Sequence, residues 1–138
     1  MRISNGLLGP RALLRHTPSA KQVDELKANG VVELELNYAK GWKGSYDFLA
    51  QMPFLRGLEL TDWFAESVEP IHCLRDLRHL HLESYCKTPV RFGCFPCLRR
   101  CYLEWRKGCE SLFDLTAIEK LGINRLKLIS SEPLRNLR

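Results

Sequence analysis

Long apolar runs are missing from this chain. No stretch of its 138 residues approaches the roughly 18–20 apolar residues that a membrane span needs. The glycine period of a collagen-like chain is missing too, and hydrophobic residues at 45% are too many for a disordered one. No nucleophile elbow, Walker loop or dinucleotide fingerprint occurs. Gly41-Trp42-Lys43-Gly44 has two glycines and a lysine but no loop-to-helix phosphate cradle. These absences leave no reaction to read, so the chain is expected not to be an enzyme and to need no cofactor. A secretory leader is not expected either. Residues 1–11 hold no apolar core long enough, and Arg11 and Arg15 interrupt what there is. Basic residues without acids before Asp24 resemble a transit segment, but Pro10 and Pro18 argue against one continuous amphipathic helix. The chain is therefore read as cytoplasmic with reduced thiols, and its length fits a single domain.

Charge is uneven. Lys plus Arg is 21 and Asp plus Glu is 16, giving +5. Residues 1–70 carry −1 and residues 71–138 carry +6. The asymmetry suits an acidic partner or polyanion, without making nucleic acid the default reading.

What is present is a repeat. Five runs share the pattern apolar, two free, apolar, one free, apolar. They are Val31–Leu36, Leu55–Leu60, Leu77–Leu82, Leu98–Leu103 and Ile123–Leu128. Their last apolar residues recur every 21 to 25 positions. Each run ends in period-two alternation, the mark of a strand with one buried face. Between them, Phe48, Leu49 and Met52, then Val68, Ile71 and Leu74, then Leu112, Leu115, Ile118 and Leu121 are spaced for helical turns. Phe92 to Pro96 is short and Gly/Pro-marked, which suits a 3₁₀ turn. Strand, loop, short helix and return strand, repeated, give parallel strands stacked as a solenoid.

These L-x-x-L-x-L runs make the chain resemble the leucine-rich-repeat family, in its short, irregular, bacterial-type form, over roughly residues 31–130. The resemblance implies an α/β solenoid of about five parallel strands, with helices or 3₁₀ turns on the convex side. Residues 1–30 are read as an N-terminal cap and 131–138 as a short C-terminal cap. Ser19 is the expected N-cap of a helix ending at Gly30, with Val23 and Leu26 on its buried face. The thin C-terminal cap predicts a self-association edge. The family's usual Asn or Cys after each strand is replaced by Ala39, Trp63, Tyr85, Arg106 and Ser131. No amide ladder can form, and Trp63 and Tyr85 are expected to fill the space by packing.

The resemblance also implies that a partner binds on the concave sheet face. Its columns read Glu33, Gly57, His79, Arg100, Arg125; then Glu35, Glu59, His81, Tyr102, Lys127; then Asn37, Thr61, Glu83, Glu104, Ile129. The face is expected to run from acidic through histidine-rich to basic. Five strands about 4.8 Å apart span only about 19 Å, so flanking loops must add area toward the roughly 800 Å² per partner of a standard interface. The loop aromatics Tyr38, Trp42, Trp63, Phe64, Tyr85 and Trp105 either pack or face a partner. The balance favours packing for Trp63 and Tyr85, and partner contact for Trp42 and Trp105. The candidate partner-binding residues are Glu35, Trp42, Glu59, Thr61, His79, His81, Glu83, Arg100, Tyr102, Glu104, Trp105 and Lys127.

Other chemistry is weaker. Glu59, His79, His81 and Glu83 are credible zinc ligands by type, but a solvated polar face is the expected reading. Cys94-Phe95-Pro96-Cys97 precedes a strand, the wrong context for a redox pair. Cys101 sits where an inward leucine is expected, as a small buried residue. The function implied is a non-catalytic protein or peptide binding module. The alternative is polyanion binding through Arg78, Arg99, Arg100, Arg106, Lys107, Arg125 and Lys127.

Overall fold

A computed structural model describes residues 2–125. Among these residues, seven strands form one sheet in sequence order. They are β1 (Arg2–Asn5), β2 (Pro10–Leu14), β3 (Glu33–Asn37), β4 (Gly57–Thr61), β5 (His79–Glu83), β6 (Arg100–Glu104) and β7 (Lys120–Asn124). β1 is antiparallel to β2, and every later pair is parallel. One α-helix, α1 (Ala20–Ala28), joins β2 to β3. The four connections after β3 carry 3₁₀ turns at Asp47–Gln51, Glu69–Cys73, Phe92–Cys94 and Glu110–Asp114, with a further one at Tyr38–Lys40 directly after β3. The 3₁₀ form suits connections too short for several α-helical turns.

The leucine columns set the register. Leu34, Leu58 and Leu80 pair in line with Cys101, and Leu36, Leu60, Leu82 and Leu103 form the next row. All point inward and are at most 4% exposed. Behind them pack Val31, Leu55, Leu77 and Leu98, with Leu49, Met52, Ile71, Leu74, Phe92, Phe95 and Leu112 from the 3₁₀ segments. Cys101 is buried as expected, and burial, with some repulsion from Cys109, pushes its thiol up to about 12. Backbone amides reinforce the register. The carbonyls of Val32, Arg56, Arg78 and Arg99 each accept two N–H groups from the next strand start, at 2.7–3.1 Å.

Two expectations need correction. First, residues 1–30 supply two strands and not just a helix. α1 forms as read, with a Ser19–Gln22 capping box and Val23 and Leu26 buried, but it connects strands, and the hairpin β1–β2 extends the sheet. Ala12 and Leu14 join the inward columns beside Leu34 and Leu36. Second, the last run is shifted. Leu121 and Ile123, preceded by Ile118, occupy the inward positions, paired with Cys101 and Leu103. Ile118-x-x-Leu121-x-Ile123 fits the repeat pattern as well as Ile123-x-x-Leu126-x-Leu128 does, and the two overlap at Ile123. Side-chain space favours the earlier run. A Cβ at Gly122 would lie 2.9 Å from the ring of Tyr102, so the aromatic needs a glycine opposite. Arg125 follows the strand with φ 62° and does not occupy a sheet column. Lys127, Ile129, the C-terminal cap and the expected association edge lie outside the described residues.

Leu80 is fully buried in the central strand. Leu80→Ala should cost about 2–5 kcal/mol of stability, read as a lower urea midpoint. Maleimide should label exposed Cys73 and Cys97 in native protein and reach Cys101 only on unfolding. Equal labelling of Cys97 and Cys101 would contradict the inward column.

Candidate functional site

The open face begins with a charge cluster that the sequence concealed. Arg11 on β2 donates to Glu35 at 2.9 Å and to Glu59 at 2.7 Å. It also lies 4.0 Å from Glu33. Lys40 adds a 2.6 Å contact to Glu35. Bonding to Arg11 holds the Glu59 carboxyl below its ordinary range, against the pull of burial. At Glu35 burial pulls upward, and the bonds from Lys40 and Arg11 outweigh it. Glu33, only 3% exposed, accepts from the Leu8 amide at 2.8 Å. The acidic end is therefore largely compensated from within.

The middle is aromatic and histidine-rich. His81 stacks on Tyr102 at 4.6 Å and contacts Glu83 at 2.7 Å. His79 lies 4.0 Å from Glu59, and neither buried ring nitrogen has a hydrogen bond. Burial lowers its pKa, offset in part by Glu59 and Glu33 and assisted by His81 and Arg100. Arg100, Thr61, Glu83 and Tyr102 are half-buried on this face. Glu104 is 4% exposed and takes an Asn124 amide at 2.7 Å. Among the described residues, no group of three or more His, Cys, Asp or Glu is arranged to hold a metal ion.

The strand exits are held by polar groups. Asp62 accepts from the Tyr46 hydroxyl at 2.5 Å and the Phe64 amide at 3.1 Å. Ser84 accepts from the Cys86 amide. Buried Arg106 donates to the carbonyls of Ser84 and Cys86, both at 2.9 Å, and to that of Glu104. It stands where the family's ladder residue would be, and a guanidinium's several donors satisfy carbonyls on two neighbouring turns. The expected packing by Trp63 and Tyr85 is instead a surface stack between them, with centroids 4.7 Å apart.

Trp42 is the main correction among the candidate residues. It is fully buried, packs near Tyr46 and Phe48 and donates to the Tyr46 hydroxyl at 3.1 Å. A side chain with no accessible surface contacts no partner. Arg106, buried with its donors spent on backbone carbonyls, leaves the polyanion set. Glu35 and Glu104 are buried and consumed in internal pairs. Trp105 is half-buried against Phe113 at 5.7 Å. What remains outside forms a rim at the strand exits. Tyr38 is 43% exposed, Phe64 71% and Tyr85 53%. Tyr38 and Phe64 pair at 4.9 Å beside a groove of about 1080 Å³. Arg125 caps Tyr85 at 4.4 Å beside a second groove of about 800 Å³.

No family model matches the chain, and no curated protein matches it. A solved structure does. The fold is a leucine-rich-repeat solenoid, similar to that of an internalin C2 from Listeria monocytogenes, with a TM-score of 0.67. Identity is 20% over 93% of this chain, and the match spans 56% of the internalin chain. The likeness at this identity shows the fold. No helix among the described residues is long and apolar enough to cross a membrane.

The titratable groups give a testable acid response. His72 is buried, its Nε2 accepting from the Arg91 amide at 3.0 Å and its Nδ1 facing the Glu69 carbonyl at 2.8 Å. Nε2 is then unprotonated, and burial lowers the pKa further. Below the ordinary histidine value of 6.5, the unfolded chain takes up protons that folded His72 and His79 refuse. Stability falls as pH drops through that window. Glu35 and Glu59 have lowered pKa values, so their contribution is complete above the ordinary 4.5 and is lost as pH falls through the folded values. Urea midpoints should step down in both windows, and His79→Gln should flatten the first. A midpoint constant from pH 7 to 5 would contradict this electrostatic account.

Proposed function

We propose that this chain is a non-catalytic binding module for a protein or peptide partner, seated on the strand-exit rim and the adjoining open face. One observation carries this reading: successive strand exits expose Tyr38, Phe64 and Tyr85, with Tyr38 paired to Phe64 and Tyr85 stacked on Trp63. Large aromatics cost free energy in water, and exposed pairs of them at successive strand exits mark an interaction surface. Tyrosine and tryptophan lead the residues that dominate interface energetics. The open face supplies the polar surround through Thr61, His81, Glu83, Arg100 and Tyr102. The proposal includes a cytoplasmic setting, supported by six unpaired cysteines.

A second reading has its own observation. Arg56, Arg78 and Arg99 are exposed at three successive strand starts, and none of them has an ion-pair partner among the described residues. Such a stripe suits a polyanion, whose affinity would fall steeply with salt. Its residues lie at the opposite strand ends from the aromatics, so the two readings separate by mutation.

The test is a pull-down from the native host with wild-type protein and with Phe64→Ser/Tyr85→Ser. The variant should keep its circular dichroism and melting temperature and lose the partner by at least about tenfold, the loss of two hot-spot side chains. Retention of the partner by that variant, with loss on Arg78→Glu/Arg99→Glu, would replace the first reading by the second.

A further inference from the structure

The groove between the exits of β5, β6 and β7 says more about its occupant. Its walls include Tyr85 and Trp105, and its rim carries Lys87, Lys107 and Arg125. The one carboxylate lining it, Glu104, is bonded by Asn124 and lies 3.7 Å from Arg125. Lys87 and Lys107 are exposed and have no ion-pair partner among the described residues. An apolar trough with unneutralised cations on its lip attracts an apolar side chain flanked by negative charge. We infer that this groove binds an acidic linear peptide, its apolar residue lodged between Tyr85 and Trp105 and its carboxylates on Lys87 and Lys107. The inference rests on the binding-module reading and names its partner's chemistry.

Two features favour a peptide over a nucleic acid. Base binding needs free aromatic faces, whereas Tyr85 is already stacked on Trp63 and capped by Arg125. Trp105 packs against Phe113. A base would have to displace one of these neighbours, while a leucine or phenylalanine needs only the trough. The chain's own residues 126–138 are a poor occupant by charge. They contain Lys127, Arg135 and Arg138 against Glu132, the same sign as the lip.

The test uses three dye-labelled short peptides, each with a central leucine flanked by Asp/Glu, by Asn/Gln or by Lys, and an oligothymidylate of similar length. Binding is read by fluorescence anisotropy. The acidic peptide should bind wild-type protein about tenfold more tightly than its amide version, the worth of two screened charge contacts. Its affinity should fall as salt rises. Lys87→Glu/Lys107→Glu should reverse the preference toward the lysine-flanked peptide, a result misfolding cannot produce. Equal or tighter binding of the amide or lysine peptide to wild-type protein overturns the acidic specificity and leaves the module reading standing. Tighter binding of the oligothymidylate overturns the peptide. Binding of none of the four overturns the groove as a site, and the rim pull-down then decides the wider reading separately.

Discussion

One carbonyl per turn fixes this molecule. At each strand start the backbone oxygen of Val32, Arg56, Arg78 or Arg99 receives two amides from the following turn. That bond pair sets the phase of the next strand, and side-chain alternation does the rest. A slip of one residue would turn Leu58 and Leu60 to water and bring Glu59 into the core. Hydrophobic burial enforces the phase, at roughly 1.5–3 kcal/mol for each fully buried leucine. The side chains of the arginines that lend those carbonyls are exposed. Their backbone is structural and their charge is available.

The missing amide ladder shows how a repeat protein tolerates irregular connections. Buried backbone amides and carbonyls at strand exits must be satisfied, and here different side chains do it at different turns. Asp62 serves one exit and Ser84 another by accepting from amides, and Arg106 spans two by donating to carbonyls. A guanidinium in that place has only donors, and it gives them to carbonyl oxygens and, at 3.1 Å, to the Cys86 sulfur. Burial opposes ionisation of the Cys86 thiol, yet bonds from Ser84 and Thr88 and the Arg106 charge hold it below its ordinary value. The loss of a uniform spine frees the exit loops to differ, and the aromatic rim is built from those differences.

Strands β3 to β6 were legible because each carries the full three-apolar pattern, and α1 because Ser19 and Gln22 form a recognisable cap. β2 was hidden: Pro10, Arg11 and an outward Leu13 blur its alternation, and β1 has no buried residue at all. The final strand was ambiguous because two overlapping runs share Ile123, and only Tyr102 lying over Gly122 distinguishes them. Trp42 misled because residue type carries no direction. A tryptophan in a Gly-flanked loop reads as exposed, while its indole N–H finding Tyr46, and Tyr46 finding Asp62, is a tertiary fact. The acidic cluster misled for a related reason. Its counter-charge, Arg11, is 22 residues before Glu33 in sequence and sits on the adjacent strand in space.

These corrections move the candidate interface rather than dissolve it. Carboxylates satisfied by Arg11 and Lys40 offer little to a newcomer, because a partner would have to break existing pairs to use them. The rim aromatics pair only with one another and with Arg125 at the surface, and covering what they leave exposed recovers free energy without breaking those pairs. The seven described strands, about 4.8 Å apart, span about 29 Å, a small platform for a globular partner. A short extended segment crossing the strand exits suits that dimension better. It would meet Phe64 and Tyr85 in turn, and the sign of the charges beside each groove would set its direction.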